Sequence, residues 1–183
     1  MTKEYSVLPT SILKAGSSCA RPTQILPERV KLSDPATDVM TDLHKVALVN
    51  VRAMTSMEQA NAKMIRCEVR LALVLDVKDQ VFGLLTATDL LGDKPARFLQ
   101  NMGGEYADIM VRDIMTPQRL LEVLKIKDVK NAQVGQIIAT LKKAHRQHGL
   151  VVDENADGEH IVCGLFSMAQ IARQLGVSDW RTL

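Results

Sequence analysis

A chain of 183 residues with 46% hydrophobic and only 3% aromatic residues has enough apolar material for one or two small aliphatic, methionine-rich cores. Its 23 basic and 21 acidic residues leave a formal net charge of +2, without the basic excess or the stacking platforms of a nucleic-acid binder. No apolar run approaches the length of about 18 residues that would suggest a membrane span, and the start, MTKEYSVLPTSILKAG, lacks a secretory apolar core.

Residues 1–35 hold four of the six prolines, Pro9, Pro22, Pro27 and Pro35, together with Gly16, Ser17 and Ser18. They read as a tail or an extended arm. Short apolar patches at Val7-Leu8, Ile12-Leu13 and Ile25-Leu26 suit docking on the body or on a partner.

A repeat follows. Asp38-Val39-Met40-Thr41 returns as Asp113-Ile114-Met115-Thr116, Leu73-Val74-Leu75-Asp76 as Leu150-Val151-Val152-Asp153, and Gly83 as Gly164. The offset grows along the chain, which places the larger insertion in the polar turn around Asp157-Gly158. In the first copy a strand over 46–51 precedes a helix begun by the capping box Thr55-Ser56-Met57-Glu58, with Met57, Ala60 and Met64 on its apolar face. Strands over 71–75 and 80–85 then flank the turn Asp76-Val77-Lys78-Asp79, and a short helix over 88–91 stops at Gly92. A linking helix around Ala96–Met102 ends at Gly103-Gly104.

The second copy repeats the order. A strand over 120–126 leads to a helix capped by Asn131, with Val134, Ile137, Ile138 and Leu141 as its stripe. Strands over 150–152 and 160–166 follow, then a helix over 168–175 stopped by Gly176. The expected organisation is an arm (1–35), a first repeat (36–93), a linking helix (94–106), a second repeat (107–176) and a tail (177–183). Each unit reads β-α-β-β-α, an α+β fold class. A three-stranded sheet cannot cover both of its own faces, so the two units are expected to pack together.

Cys19, Cys67 and Cys163 form no CxxC pair. Cys67 and Cys163, in apolar surroundings, are expected to be buried free thiols, as suits a reducing cytosol. His145 and His148 have a spacing that permits a shared metal, but Lys142, Lys143 and Arg146 surround them; no metal is expected there. No Gly-x-Ser-x-Gly elbow, His-Glu-x-x-His or P-loop occurs, so the sequence does not read as an enzyme.

The motif Gly83-Leu84-Leu85-Thr86-Ala87-Thr88-Asp89 runs from a buried strand into a helix start. Gly83 allows another backbone or a ligand to approach closely. Thr86 can offer a hydroxyl to a phosphate beside the helix N-terminus, and the Asp89 carboxylate can accept both hydrogens of a ribose diol. The same residues also fit a plainer role, in which Thr86 or Thr88 caps the helix and Asp89 complements its dipole. The second copy keeps a hydroxyl at Ser167 but has Gln170 in place of the aspartate. A charged acceptor contributes about 1.5–3 kcal/mol against about 1 for a neutral one, roughly three- to thirty-fold in affinity. The first site is therefore expected to be the better one.

Tandem β-α-β-β-α units, each begun by Asp-hydrophobic-Met-Thr and closed by Gly-hydrophobic-x-Thr/Ser-x-x-Asp, with Gln170 departing from the aspartate in the second copy, resemble the paired cystathionine β-synthase (CBS) domains of Bateman modules over residues 36–176. The resemblance implies a pseudo-two-fold pair of CBS-type repeats that is regulatory and homodimeric. It implies an effector such as AMP, ADP, ATP or S-adenosylmethionine between the repeats, no obligatory cofactor, and a protein target reached in trans. It assigns Thr86 to phosphate and Asp89 to ribose. It lines the adenine slot of the first site with Met40, Thr41, Val46 and Ala47, and that of a weaker second site, beside Ser167 and Gln170, with Met115, Thr116, Leu121 and Val123. Lys94, Arg97, Arg112, Arg119 and Arg173 are the available cations for further phosphates. The rival reading is a ligand-free dimerisation module whose arm recruits a protein.

Overall fold

The computed structural model describes residues 24–183. Val7-Leu8, Ile12-Leu13 and Cys19 lie outside the described residues. A 3-10 turn over Ala36–Val39 leads into a two-residue strand β1 (Thr41–Asp42). The first repeat continues with β2 (Asn50–Arg52), α1 (Met57–Arg66), β3 (Leu71–Leu75), β4 (Val81–Thr86) and α2 (Ala87–Leu91). The link is α3 (Lys94–Met102) and α4 (Val111–Ile114). The second repeat is β5 (Thr116–Pro117), β6 (Val123–Lys125), α5 (Ile126–Val129), α6 (Val134–Lys143), β7 (His148–Glu154), β8 (His160–Ser167) and α7 (Met168–Leu175).

Both expected hairpins, the stripe of α6 and the glycine stops at Gly92 and Gly176 are present. The strand expected over 46–51 is shorter, because Val46 to Val49 form the approach to β2. Likewise Leu120 ends a 3-10 turn and Ile126 opens a helix, leaving only β6 of the expected 120–126 strand. The α1 cap is Ser56 rather than Thr55, its hydroxyl accepting from Gln59 N at 3.2 Å. In the second repeat Gln133, not Asn131, caps α6, because Gln136 reaches back to Gln133 N at 2.8 Å.

The described residues build two four-stranded sheets, ordered β2-β3-β4-β5 and β1-β8-β7-β6. Each sheet takes its last strand from the other copy's Met-Thr anchor. Thr41 pairs with Leu165 of the second repeat, and Thr116 pairs with Leu84 of the first. The anchors thereby cover the edges of β8 and β4, which would otherwise expose unpaired backbone. Two glycines make the crossing possible. A Cβ on Gly83 would sit 2.6 Å from Thr116 O and 2.7 Å from Met115 Sδ, and one on Gly164 would sit 2.7 Å from Met40 Sδ. Met115 therefore belongs to the first core and Met40 to the second.

Alternation along the strands separates the layers. In β3, Ala72 and Val74 face the helices, whereas Leu71 and Leu73 join Leu84 and Leu150 in a layer between the two sheets. Each leucine buried there contributes about 1.5–3 kcal/mol. The repeats thus pack sheet to sheet, with helices outside. The arm residues 24–35 dock on the second repeat: Val30 is buried and its N–H donates to Gln174 O at 3.0 Å. Gln24 donates to Met40 O and accepts from Asp42 N. Cys163 is buried, but Cys67 is exposed, because it caps α1 beyond the last inward-facing turn.

Candidate ligand sites between the repeats

The sheet-to-sheet arrangement opens two cavities at corresponding positions. The first, of about 340 Å³, has Leu84 and Leu121 as its apolar floor with Thr116 beside them, and Thr86, Thr88 and Asp89 as one polar wall. Residues 144–148, from the other repeat, form the opposite wall. The second, of about 330 Å³, replaces these with Leu165 and Leu48, Ser167 and Gln170, and residues 68–71. The opposing walls are built alike. Glu68 and His145 follow the ends of α1 and α6 in the left-handed region, with φ of 54° and 52°. Val69 N then reaches Met64 O at 3.0 Å and Arg146 N reaches Leu141 O at 2.9 Å, closing each helix with the same turn.

The anchor crossing regroups the expected site residues. Thr86 and Asp89 meet Thr116 and Leu121, which the sequence reading had placed in the second site. Ser167 and Gln170 belong with Met40 and Thr41, which it had placed in the first; Thr41 Oγ1 donates to Gln170 Oε1 at 3.4 Å. The expectation that each slot is lined from its own copy is thus corrected, because each anchor lies on the other copy's sheet edge. Val46 and Ala47 lie in the loop before β2 and line neither cavity, and Val123 packs into the layer between the sheets. Met40 and Met115 sit beneath Gly164 and Gly83.

Thr86 and Asp89 are engaged with each other. Asp89 N donates to Thr86 Oγ1 at 3.2 Å, while Asp89 Oδ2 accepts from Thr86 N at 2.8 Å and from its hydroxyl at 2.7 Å. Oδ1 pairs with Lys94 Nζ at 2.6 Å, and that ammonium also donates to Ile114 O at 2.9 Å. Asp89 is 7% exposed. A carboxylate oxygen has about two acceptor positions, so Oδ1 retains one. It can take one ribose hydroxyl as it stands, and a diol only if Lys94 or Thr86 gives way. Capping is therefore real here, and it uses the groups that a ligand would need.

Ser167 makes no capping bond. Gln170 instead donates to Val39 O at 3.4 Å and to Gln174 Oε1 at 3.3 Å. Gln174 is itself buried and donates to Pro27 O at 2.7 Å and Asp38 O at 3.0 Å. The second motif is thereby wired to the docked arm.

Of the expected cations, Lys94 is held by Asp89, Arg97 pairs with Asp93, and Arg112 lies 3.6 Å from Asp113. Arg173 lines the second cavity, whereas Arg97, Arg112 and Arg119 line neither. The cavities are flanked instead by Arg70, which the sequence motifs do not mark, and by Arg146, His145 and His148, which the sequence brings forward only as a poor metal constellation and not as part of a nucleotide site. His148 begins β7 between the two cavities. Burial, and after it the Arg70 charge, push its pKa down to about 4 against an upward pull from Asp89. It is a neutral polar group at neutral pH. The repeat register offered the signal for these walls, since Leu71 and His148 open equivalent strands.

The sequence matches no protein-family model and no curated protein. Solved structures do resemble this fold. An uncharacterized conserved protein from Pyrococcus horikoshii is 23% identical, covering 78% of this chain and 92% of its own, with a TM-score of 0.55. CBSX2 from Arabidopsis thaliana, solved in complex with AMP, is 22% identical over 76% of this chain and 94% of its own, at 0.53. A CBS-domain containing protein from Agrobacterium tumefaciens is 16% identical over 78% and 94%, at 0.56. The fold is a tandem CBS domain pair, as the sequence resemblance implied.

Proposed function

We propose that this chain is a regulatory module that takes an adenosine nucleotide into the cavity around Thr86 and Asp89 and acts on a protein partner in trans. The observation that carries this reading is the cavity itself. It is built from both repeats, and it joins an apolar floor at Leu84 and Leu121 to Thr86, Thr88, Asp89 and an opposite wall that carries the Arg146 guanidinium beside the His145 imidazole. An adenine ring suits the floor, a ribose hydroxyl suits the remaining acceptor position of Asp89, and phosphate suits Arg146 and the threonine hydroxyls. Because both repeats line it, a ligand that binds one spacing of the repeats better than another shifts the module toward that spacing. The AMP complex of CBSX2 supports the ligand class. The test is isothermal titration of the full chain with AMP, ADP, ATP and S-adenosylmethionine. Binding of at least one with Kd below about 1 mM is expected, and no heat with any of them at that concentration overturns the reading.

The closed Thr86–Asp89–Lys94 set favours a second reading, a structural module in which these residues serve only the fold. Leu91, Met102 and Tyr106, each more than half exposed around α2 and α3, suit a homodimer or a protein partner. Deletion of residues 1–23 that removes the oligomer or a partner while leaving ligand binding unchanged supports recruitment by the arm. The docked stretch 24–35 must be kept in that variant, because Val30 and Gln24 are part of the second repeat's packing.

A further inference from the structure

Between the two cavities lies a third, of about 290 Å³, which neither motif defines. Arg70, Thr88, Gln147, His148, Trp180 and Arg181 line it. It shares Thr88, Gln147 and His148 with the first cavity, and Arg70, Gln147, His148 and Trp180 with the second. Its lining includes two guanidinium groups and no carboxylate. Among the described residues Arg70 forms no ion pair, and Arg181 pairs only with Asp179 of its own turn, at 3.6 Å. His148 adds no charge, since burial and Arg70 hold it neutral at neutral pH.

Arg181 is brought there by the C-terminal residues. Val177 N donates to Ala172 O at 2.9 Å, and a 3-10 turn over Trp180–Thr182 is capped by Asp179, whose side chain accepts from Arg181 N at 3.0 Å. Trp180 and Leu183 pack against the core of the second repeat. The Arg181 guanidinium lies 5.3 Å from the Trp180 ring centre, a cation–π contact that orients it. Both arginines are exposed side chains that line one cavity, and an anion bound between them is attracted by both charges. Guanidinium forks match phosphate oxygens two at a time, with Gln147 and Thr88 able to add neutral donors.

We infer that this central cavity is an anion subsite for a phosphate chain. It is completed by the C-terminal turn, and it makes a nucleoside diphosphate or triphosphate the preferred ligand over a monophosphate. The nucleoside half of this inference rests on the function proposed above; the phosphate subsite does not. A ligand seated in the first cavity extends its chain past Thr88 and His148 toward Arg70 and Arg181. Trp180, the single tryptophan of the chain, borders the subsite and reports its occupancy.

The test is a fluorescence titration of the full chain with sodium pyrophosphate, AMP and ATP, repeated on Arg70→Ala, Arg181→Ala and the double variant. Circular dichroism and thermal melting serve as folding controls. Pyrophosphate is expected to change Trp180 emission, and each single variant to weaken it about tenfold or more. ATP is expected to bind about tenfold tighter than AMP, an advantage that disappears in the double variant while AMP affinity is unchanged. Equal pyrophosphate affinity in wild type and double variant, or an ATP advantage that survives it, overturns the inference. Arginine-dependent pyrophosphate binding without any binding of AMP or ATP upholds the subsite and removes the nucleotide reading. AMP binding with no pyrophosphate response does the reverse.

Discussion

The starts of α2 and α7 occupy equivalent positions in the two repeats, yet they are finished in opposite ways. In the first, a carboxylate closes the helix start through bonds of 2.7 to 2.8 Å and holds Lys94 at 2.6 Å. In the second, the amide of Gln170 leaves the helix start uncapped and makes bonds of 3.3 to 3.4 Å to Thr41, Val39 and Gln174. One residue type serves the cavity and the link to α3; the other ties the motif to the arm. The two sites diverge in their electrostatics although the backbone around them is nearly the same.

Asp89→Ala breaks this contrast most strongly. It removes the cap and leaves Lys94 beside the buried end of α4, so chemical denaturation should show a loss of about 2–4 kcal/mol. Gln170→Ala, which gives up long neutral bonds, should cost no more than about 1 kcal/mol. Equal losses would show that the first motif is no more tightly held than the second. Acid acts on the wall between the cavities. The folded state holds His148 near pKa 4 while the unfolded chain protonates near 6.5. Its contribution is therefore full above about pH 6.5 and is lost as pH falls toward 4, by about 3 kcal/mol. His148→Gln should flatten that part of the stability–pH curve, and an unchanged slope would contradict the burial assigned to the imidazole. The glycines give the smallest contrast. Gly83→Ala drives a methyl against the Thr116 carbonyl, whereas at Gly164 the nearest atom is the flexible Met40 Sδ. The first should cost about 1–3 kcal/mol and the second less, as measured by the two melting curves.

Much of this was legible in the sequence because periodicity records which face of an element is buried. The α6 stripe, both hairpins and α7 follow from it. Periodicity does not record which neighbour covers a strand edge, so the exchange of anchors was missed although its parts, Met40 with Gly164 and Met115 with Gly83, were in view. Caps were misplaced by one or two residues because Thr55 and Ser56, or Asn131 and Gln133, satisfy similar local rules until the backbone direction is known. Cys67 looked buried from its apolar neighbours, but the end of α1 turns it outward. The walls at 68–71 and 144–148 carry no motif. Their importance arises only from the packing of one repeat on the other.

The most direct test of the account is calorimetric titration of one adenosine nucleotide into wild type, Asp89→Ala and Gln170→Ala at a temperature where all three are folded. Binding in the first cavity predicts that Asp89→Ala weakens the nucleotide by about tenfold or more while Gln170→Ala leaves it within about twofold. Loss of binding in Gln170→Ala with Asp89→Ala unaffected would place the ligand in the second cavity and contradict the assignment.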